Sequence, residues 1–340
     1  MNIRDTFKEL FYDENGHFID VVSEDVIRKA KDSGLFKLFL PAALNGKNLS
    51  LSQTLNVFRE TAYCSGSFGW LIQIGNGGNY FVTNCSDSTN QFFFSSADAL
   101  LTGSAMTGGF AVPKEDGYLI SGQWKFASGS EFATVFTATV QLENSSTVFT
   151  ALVPRSKVEI IYDWQTLGMR QTYSNSFRVK DVFVPKEHIF QTSVRTNYLD
   201  HAIFNMPFFV YAQVFFSATL VGIIERLLEE GLALAKVKEG VWASYLPERL
   251  ERVCELKEIA LEWFKTYDLT LSDLLQRIED KETLNEEEWS LKLKENAQLI
   301  KSWAHDWFSC FGMDVLQESH VINVFYRDLL TLTQHGLFQI

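Results

Sequence analysis

The sequence predicts a mainly α member of the α+β class, built in three parts: a helical domain over residues 1–99, a β-barrel or sandwich over 100–190, and a C-terminal four-helix bundle over 191–340. Three observations predict it. Apolar residues recur at helical spacing through the first third, the middle changes to short alternating or β-branched runs cut by turn residues, and helical spacing then returns in four long segments. With 46% hydrophobic side chains in 340 residues, the chain can bury a large core or two to three smaller ones.

In the first part the helical spacing is carried by Val22, Val26 and Ile27 and then by Leu51, Leu55, Val57, Phe58 and Ala62, with Ser50 and Ser52 as candidate N-caps. Trp70, Leu71, Ile72 and Ile74 run into Gly75, Gly77 and Gly78. That pattern predicts a buried helix whose glycines admit a close neighbour, either another helix or a ligand. The middle part offers strands at Tyr118–Ile120, Thr134–Val140, Thr147–Val153, Val158–Tyr162 and Ser176–Val184. Turn residues separate them, including Asp116-Gly117 and Glu143 to Ser146. Helices are expected over Phe204–Ala235, Leu246–Ile278, Glu286–Cys310 and Val315–Leu332; short links between them make an antiparallel bundle.

Composition narrows the function. The 42 acidic residues outweigh 30 basic ones for a net charge of −12, and no Lys/Arg block could neutralise a row of phosphates, which argues against nucleic-acid and anionic-membrane partners. The first residues lack a basic start and apolar run, and no stretch reads as membrane-spanning, so a cytoplasmic protein is expected. Cys64, Cys85, Cys254 and Cys310 stand far apart and read as reduced thiols; neither they nor the six histidines have metal-ligand spacing, and no metal is expected. Among 29 phenylalanines, the groups Phe92 to Phe94 and Phe208, Phe209, Phe215, Phe216 are candidates to line an apolar pocket, or simply to pack the core.

Several local stretches sharpen this. LTGSAMTGGFA (101–111), GYLISGQWKFASGSEFAT (117–134), TLGMRQTYSNSFRVKDVFVP (166–185), and Tyr326-Arg327-Asp328 followed by Thr333-Gln334-His335 occur in that order along the chain. Together they resemble the acyl-CoA dehydrogenase superfamily. The "FASG" form is closer to its flavin-dependent monooxygenase branch than to the "WITN" form of the dehydrogenases. The resemblance implies that Phe126 packs on the flavin ring and that Ser128 hydrogen-bonds near its reactive edge. It likewise implies that Thr107 with neighbouring backbone amides borders the pyrimidine side, that Arg170, Thr172, Ser174 and Asn175 are polar members of the stretch turning back to the cofactor, and that His335 is held over the flavin. Arg327 and Asp328 are expected as structural ion-pair partners.

The departures are informative too. A thioester dehydrogenase needs a carboxylate base to take the α-proton. One family position for it, eight residues past Asp328, holds Gly336, and the other, within Phe209 to Val214, has no Glu or Asp. A second histidine found in many monooxygenases is replaced by Gly78, and only Lys236 and Lys238 stand near the expected phosphate segment, which leaves FMN and FAD both open. The expected function is therefore a monooxygenase that uses reduced flavin from a separate reductase on a small aromatic or apolar substrate, with Ser128 and His335 catalytic. An acyl-CoA dehydrogenase-like enzyme and a non-catalytic binding protein are the alternatives. A homo-oligomer, dimer or tetramer, is expected through the apolar faces of Ala212 to Leu220 and Val315 to Leu330.

Overall fold

A computed structural model describes residues 2–339. The first third forms α1 (Ile3–Phe7), α2 (Glu24–Asp32), α3 (Leu51–Cys64), α4 (Gly66–Gly77) and α5 (Asp87–Phe94). Ser50 starts α3: its Oγ accepts from Gln53 N while the Gln53 side chain accepts from Ser50 N, a reciprocal cap. Ser52 lies inside the first turn instead. α4 is buried almost throughout, and its glycines make room for side chains. A Cβ on Gly75 would stand 2.5 Å from Phe36 and one on Gly78 2.6 Å from Leu101, so neither position faces a ligand.

The middle third contributes β1 (Leu101–Lys114), β2 (Gly117–Ala127), β3 (Val135–Leu142), β4 (Val148–Pro154), β5 (Glu159–Ile161), β6 (Asn175–Pro185) and β7 (Ile189–Phe190). They make one seven-stranded sheet in the order β5-β6-β2-β1-β3-β4-β7, with β1 and β3 parallel and the other neighbours antiparallel. The pairing is that of an open sheet, with β5 and β7 as edges, rather than the closed barrel or paired sheets expected. β1 was hidden in sequence because glycine breaks its alternation. Gly109 pairs with Gly122, and a Cβ on either would come within 2.8 Å of the Trp124 ring that crosses them. Between Ser104 and Gly109 the register of β1 slips against β3, and pairing with β2 begins only at Gly109, so Ala105–Gly108 makes no ladder pair on either side. Continuing the antiparallel register sets this gap opposite Gln123–Phe126.

The last part holds α6 (Phe208–Tyr245), α7 (Pro247–Glu279), α8 (Glu286–Ser309) and α9 (Val321–Leu332). α6 runs ten residues past its expected end, because Trp242 is still buried there although Val237, Val241 and Tyr245 face solvent. α9 begins only at Val321, where the His320 side chain accepts from Ile322 N. α6 packs against α3, α4, α7, α8 and α9. It is long and apolar enough to cross a membrane, contrary to the sequence reading, but 83% of its apolar window is buried inside the fold. The faces expected to join subunits are likewise consumed: Ala212 to Leu220 is buried throughout, as are Val315, Ile322, Phe325 and Leu329. Apolar side chains left at the surface include Ile259, Leu261 and Leu269 on α7 and Leu291 and Leu299 on α8.

Candidate active site

At the end of β2 the chain does something costly. Phe126 adopts φ +67°, a left-handed conformation that a bulky side chain avoids, and its ring is 60% exposed with the Trp164 ring edge-on at 6.3 Å. Met169 and Tyr173, flanking the short turn Arg170–Thr172, are also left-handed, at φ +53° and +47°. Each such residue costs about 1–3 kcal/mol and persists only where its surroundings over-determine it.

The surroundings are polar and specific. The buried Asp328 carboxylate accepts from Met169 N, and Thr331 Oγ1 accepts from Gly168 N at 2.9 Å, so α9 grips the loop before β6. Gly168 is required at this contact: a Cβ there would lie 2.1 Å from the Arg327 carbonyl oxygen. Trp164 Nε1 donates to the Met169 carbonyl at 2.9 Å, and Gly129 N donates to the Thr172 carbonyl at 2.7 Å. Asn175 accepts from Trp164 N at 3.2 Å and donates to Ser130 Oγ at 3.1 Å, joining the two turns.

Trp70, from α4, connects the rest. Its Nε1 donates to Ser128 Oγ at 2.9 Å, and its ring lies 4.7 Å from Phe216 and 5.9 Å from His335. Phe216 meets His335 edge-on at 4.7 Å. Ser128 and His335, more than 200 positions apart in the chain, therefore share one indole. His335 caps the turn Gly336–Phe338: its Nδ1 accepts from Leu337 N at 3.2 Å, which fixes the neutral tautomer with the proton on Nε2. One edge of the ring meets solvent while the aromatic side desolvates it and lowers its pKa from 6.5 to about 4. At neutral pH it is a hydrogen-bond donor and carries no charge.

The remaining candidates divide. Thr107 is exposed within the unpaired stretch of β1. Thr172, Ser174 and Asn175 are buried and spend their side chains inside the loop. Arg170 turns outward, donating to the Thr166 carbonyl at 3.0 Å and pairing with Glu318 at 3.4 Å. Arg327 and Asp328 correct the sequence reading: among the described residues neither takes part in an ion pair, and both instead hold the backbone, Asp328 at Met169 and Arg327 at the Glu318 and Leu167 carbonyls. Of the phenylalanine groups, only Phe216 joins this site; Phe93, Phe94 and Phe215 are core. Trp70 was missed. Its sequence signal was the buried run before Gly75, but only the fold reveals that its indole N–H reaches Ser128.

No protein-family profile matches the chain. In sequence it is similar to the pigment production hydroxylase of a Rhodococcus species, at 26% identity over 96% of this chain and 88% of that one. It is also similar to the indole-3-acetate monooxygenase of Pseudomonas putida, at 25% identity over 69% of this chain and only 60% of the relative's length. In fold it resembles the 3-HSA hydroxylase of Rhodococcus sp. RHA1, with a TM-score of 0.81 over 99% of this chain and 90% of that one, at 18% identity. Further relatives are named as a flavin-dependent monooxygenase oxygenase subunit and an FADH2-dependent resorcinol hydroxylase oxygenase component, and further neighbours were solved with FADH2 or with FMN and indole. The proteins this chain is similar to are thus monooxygenases and hydroxylases, several of them named as flavin-dependent oxygenase subunits or components, and it shares their mixed helical and sheet fold.

Proposed function

We propose that this chain is a flavin-dependent oxidoreductase of the acyl-CoA dehydrogenase superfamily, the oxygenase component of a two-component monooxygenase. It takes reduced FAD or FMN from a separate reductase and acts with O2 on a small aromatic or apolar substrate. The observation that carries the reading is the convergence of Ser128 and His335 on Trp70, next to the strained, exposed Phe126.

The residues present suit a flavin. Phe126 and Trp164 offer an open aromatic shelf for a planar ring. The unpaired stretch Ala105–Gly108, set by register opposite Gln123–Phe126, offers backbone N–H groups to a ring edge rich in carbonyl and imine acceptors, with that of Met106 already held by Ser104 Oγ. Lys238 is engaged with Asp314 at 2.8 Å, so it gives no preference for the diphosphate of FAD over FMN. When bound, the reduced flavin supplies the two electrons with which O2 delivers one oxygen atom to the substrate and the other to water.

The protein's part is positioning and exclusion. Trp70 and Phe216 present apolar faces that keep water from the substrate side. His335 Nε2–H, held neutral and oriented by the Leu337 amide, donates a hydrogen bond to an oxygen or nitrogen of the substrate without bringing a charge into the apolar recess. The thioester-dehydrogenase alternative needs a carboxylate at the substrate, and the partners of Trp70 described above, Ser128, Phe216 and His335, do not supply one. A homo-oligomer remains part of the reading, now supported by the exposed leucines of α7 and α8.

The test is a titration with FMN and FAD, oxidised and anaerobically reduced, followed by oxygen-uptake assays with phenols and indoles in the presence of a reductase. Tight binding of reduced flavin with substrate-dependent hydroxylation is the expected result. Failure of every flavin form to bind at micromolar concentration would sink the proposal.

A further inference from the structure

Behind Phe126 four side chains stand in a hydrogen-bonded file. Trp70 Nε1 donates to Ser128 Oγ at 2.9 Å, Ser128 Oγ lies 2.7 Å from Ser174 Oγ, Ser174 Oγ lies 2.7 Å from Thr172 Oγ1, and Thr172 Oγ1 donates to the Met169 carbonyl at 2.8 Å. The two ends fix its direction. An indole N–H can only donate, a carbonyl can only accept, and each hydroxyl between them has one proton. Thr172 gives its proton to Met169 and so must accept from Ser174; Ser174 in turn must accept from Ser128. Ser128 is left with no proton to offer and one free lone pair. Trp70, Ser128, Thr172 and Ser174 are all buried, so bulk water does not reset the order.

We propose that this file makes Ser128 a standing acceptor and thereby selects reduced over oxidised flavin. The inference rests on the flavin reading above. Reduced flavin carries an N–H on the central ring where oxidised flavin has a bare, accepting nitrogen. An acceptor at Ser128 satisfies the reduced form and opposes the lone pair of the oxidised one. To greet the oxidised form, the file must reverse, and reversal breaks the Thr172 bond to Met169. The Met169 carbonyl would keep Trp164 Nε1 and Thr172 N as donors, so reversal loses one hydrogen bond, worth about five- to tenfold in affinity. Thr172 and Ser174 are positioning residues in this account: they act on the flavin only through Ser128.

The experiment measures dissociation constants of oxidised and reduced flavin, together with the midpoint potential of the bound cofactor, in the wild type, Thr172→Val, Ser174→Ala and Thr172→Ser. The wild type is expected to hold the reduced form more tightly. Thr172→Val and Ser174→Ala each free the Ser128 proton, and the ratio of oxidised to reduced dissociation constants should fall about five- to tenfold, lowering the potential by about 20–30 mV. Thr172→Ser restores the hydroxyl and should keep the wild-type ratio, which separates this effect from loss of packing. Unchanged ratios in Thr172→Val and Ser174→Ala would overturn the file's role while leaving the flavin reading intact. Binding of neither form by the wild type would overturn both.

Discussion

His335 stands against the faces of Trp70 and Phe216, and desolvation there rather than a charged neighbour sets its acid strength. Its NMR resonances should hold the neutral position from about pH 8 down to pH 5 and move only near pH 4, and Phe216→Ala should raise that midpoint toward the ordinary value. The sign for stability follows. Above pH 6.5 the ring is neutral folded and unfolded alike; between 6.5 and about 4 the unfolded chain takes up a proton that the fold refuses, so stability falls on acidification. Asp328 works the other way. Burial, with the Asp20 carboxylate nearby, pushes its pKa well above the usual range, so its contribution is complete below pH 3.8 and is lost as pH rises toward the folded value. Asp328→Asn keeps an oxygen for Met169 N and removes the ionisation. Its thermal midpoint should match or exceed the wild type's at about pH 8, whereas Asp328→Ala should cost about 1–3 kcal/mol. Ser128 and His335 were legible as motif members. Their common neighbour Trp70, and the direction of the hydroxyl file, were not, because both depend on distances between residues 70, 128, 172 and 174 that no local pattern encodes.

Among the elements, helices with an amphipathic stripe and a cap were readable, as α3 with its Ser50–Gln53 pair illustrates. β1 was not, since Gly103, Gly108 and Gly109 erase the alternation that marks a strand, and the reason for two of them is the Trp124 ring lying across Gly108 and Gly109. The loop between β5 and β6 is shaped by α9. Gly168→Ala should push the loop off the Arg327 carbonyl, costing about 1–3 kcal/mol and releasing Met169 and Tyr173 from their left-handed conformations. Calorimetry would measure the loss, and weakened flavin binding should accompany it. An unchanged thermal midpoint would mean that α9 yields at that contact.

For the whole molecule, the order of helices, sheet and helices was legible because the apolar period changes twice along the chain, whereas the openness of the sheet depends on long-range pairing that composition does not record. The same limit turned faces buried within the chain, such as Ala212 to Leu220, into expected subunit contacts: apolar periodicity marks a buried face without saying whether its partner belongs to the same chain. Leu269 and Leu299 are 64% and 66% exposed, and light scattering of Leu269→Glu with Leu299→Glu should give a smaller assembly than the wild type. A double variant of unchanged mass would put any interface elsewhere. The grip of Asp328 and Thr331 on the loop at Gly168 and Met169 also has a meaning for biosynthesis. A ribosome delivers the sheet, with its turn at Ser128, well before α9 and His335 emerge, and until that last helix docks nothing locks the turn conformations around the flavin shelf. Nascent chains thus lack a finished cofactor pocket until α9 has emerged and docked, and loading waits for that step.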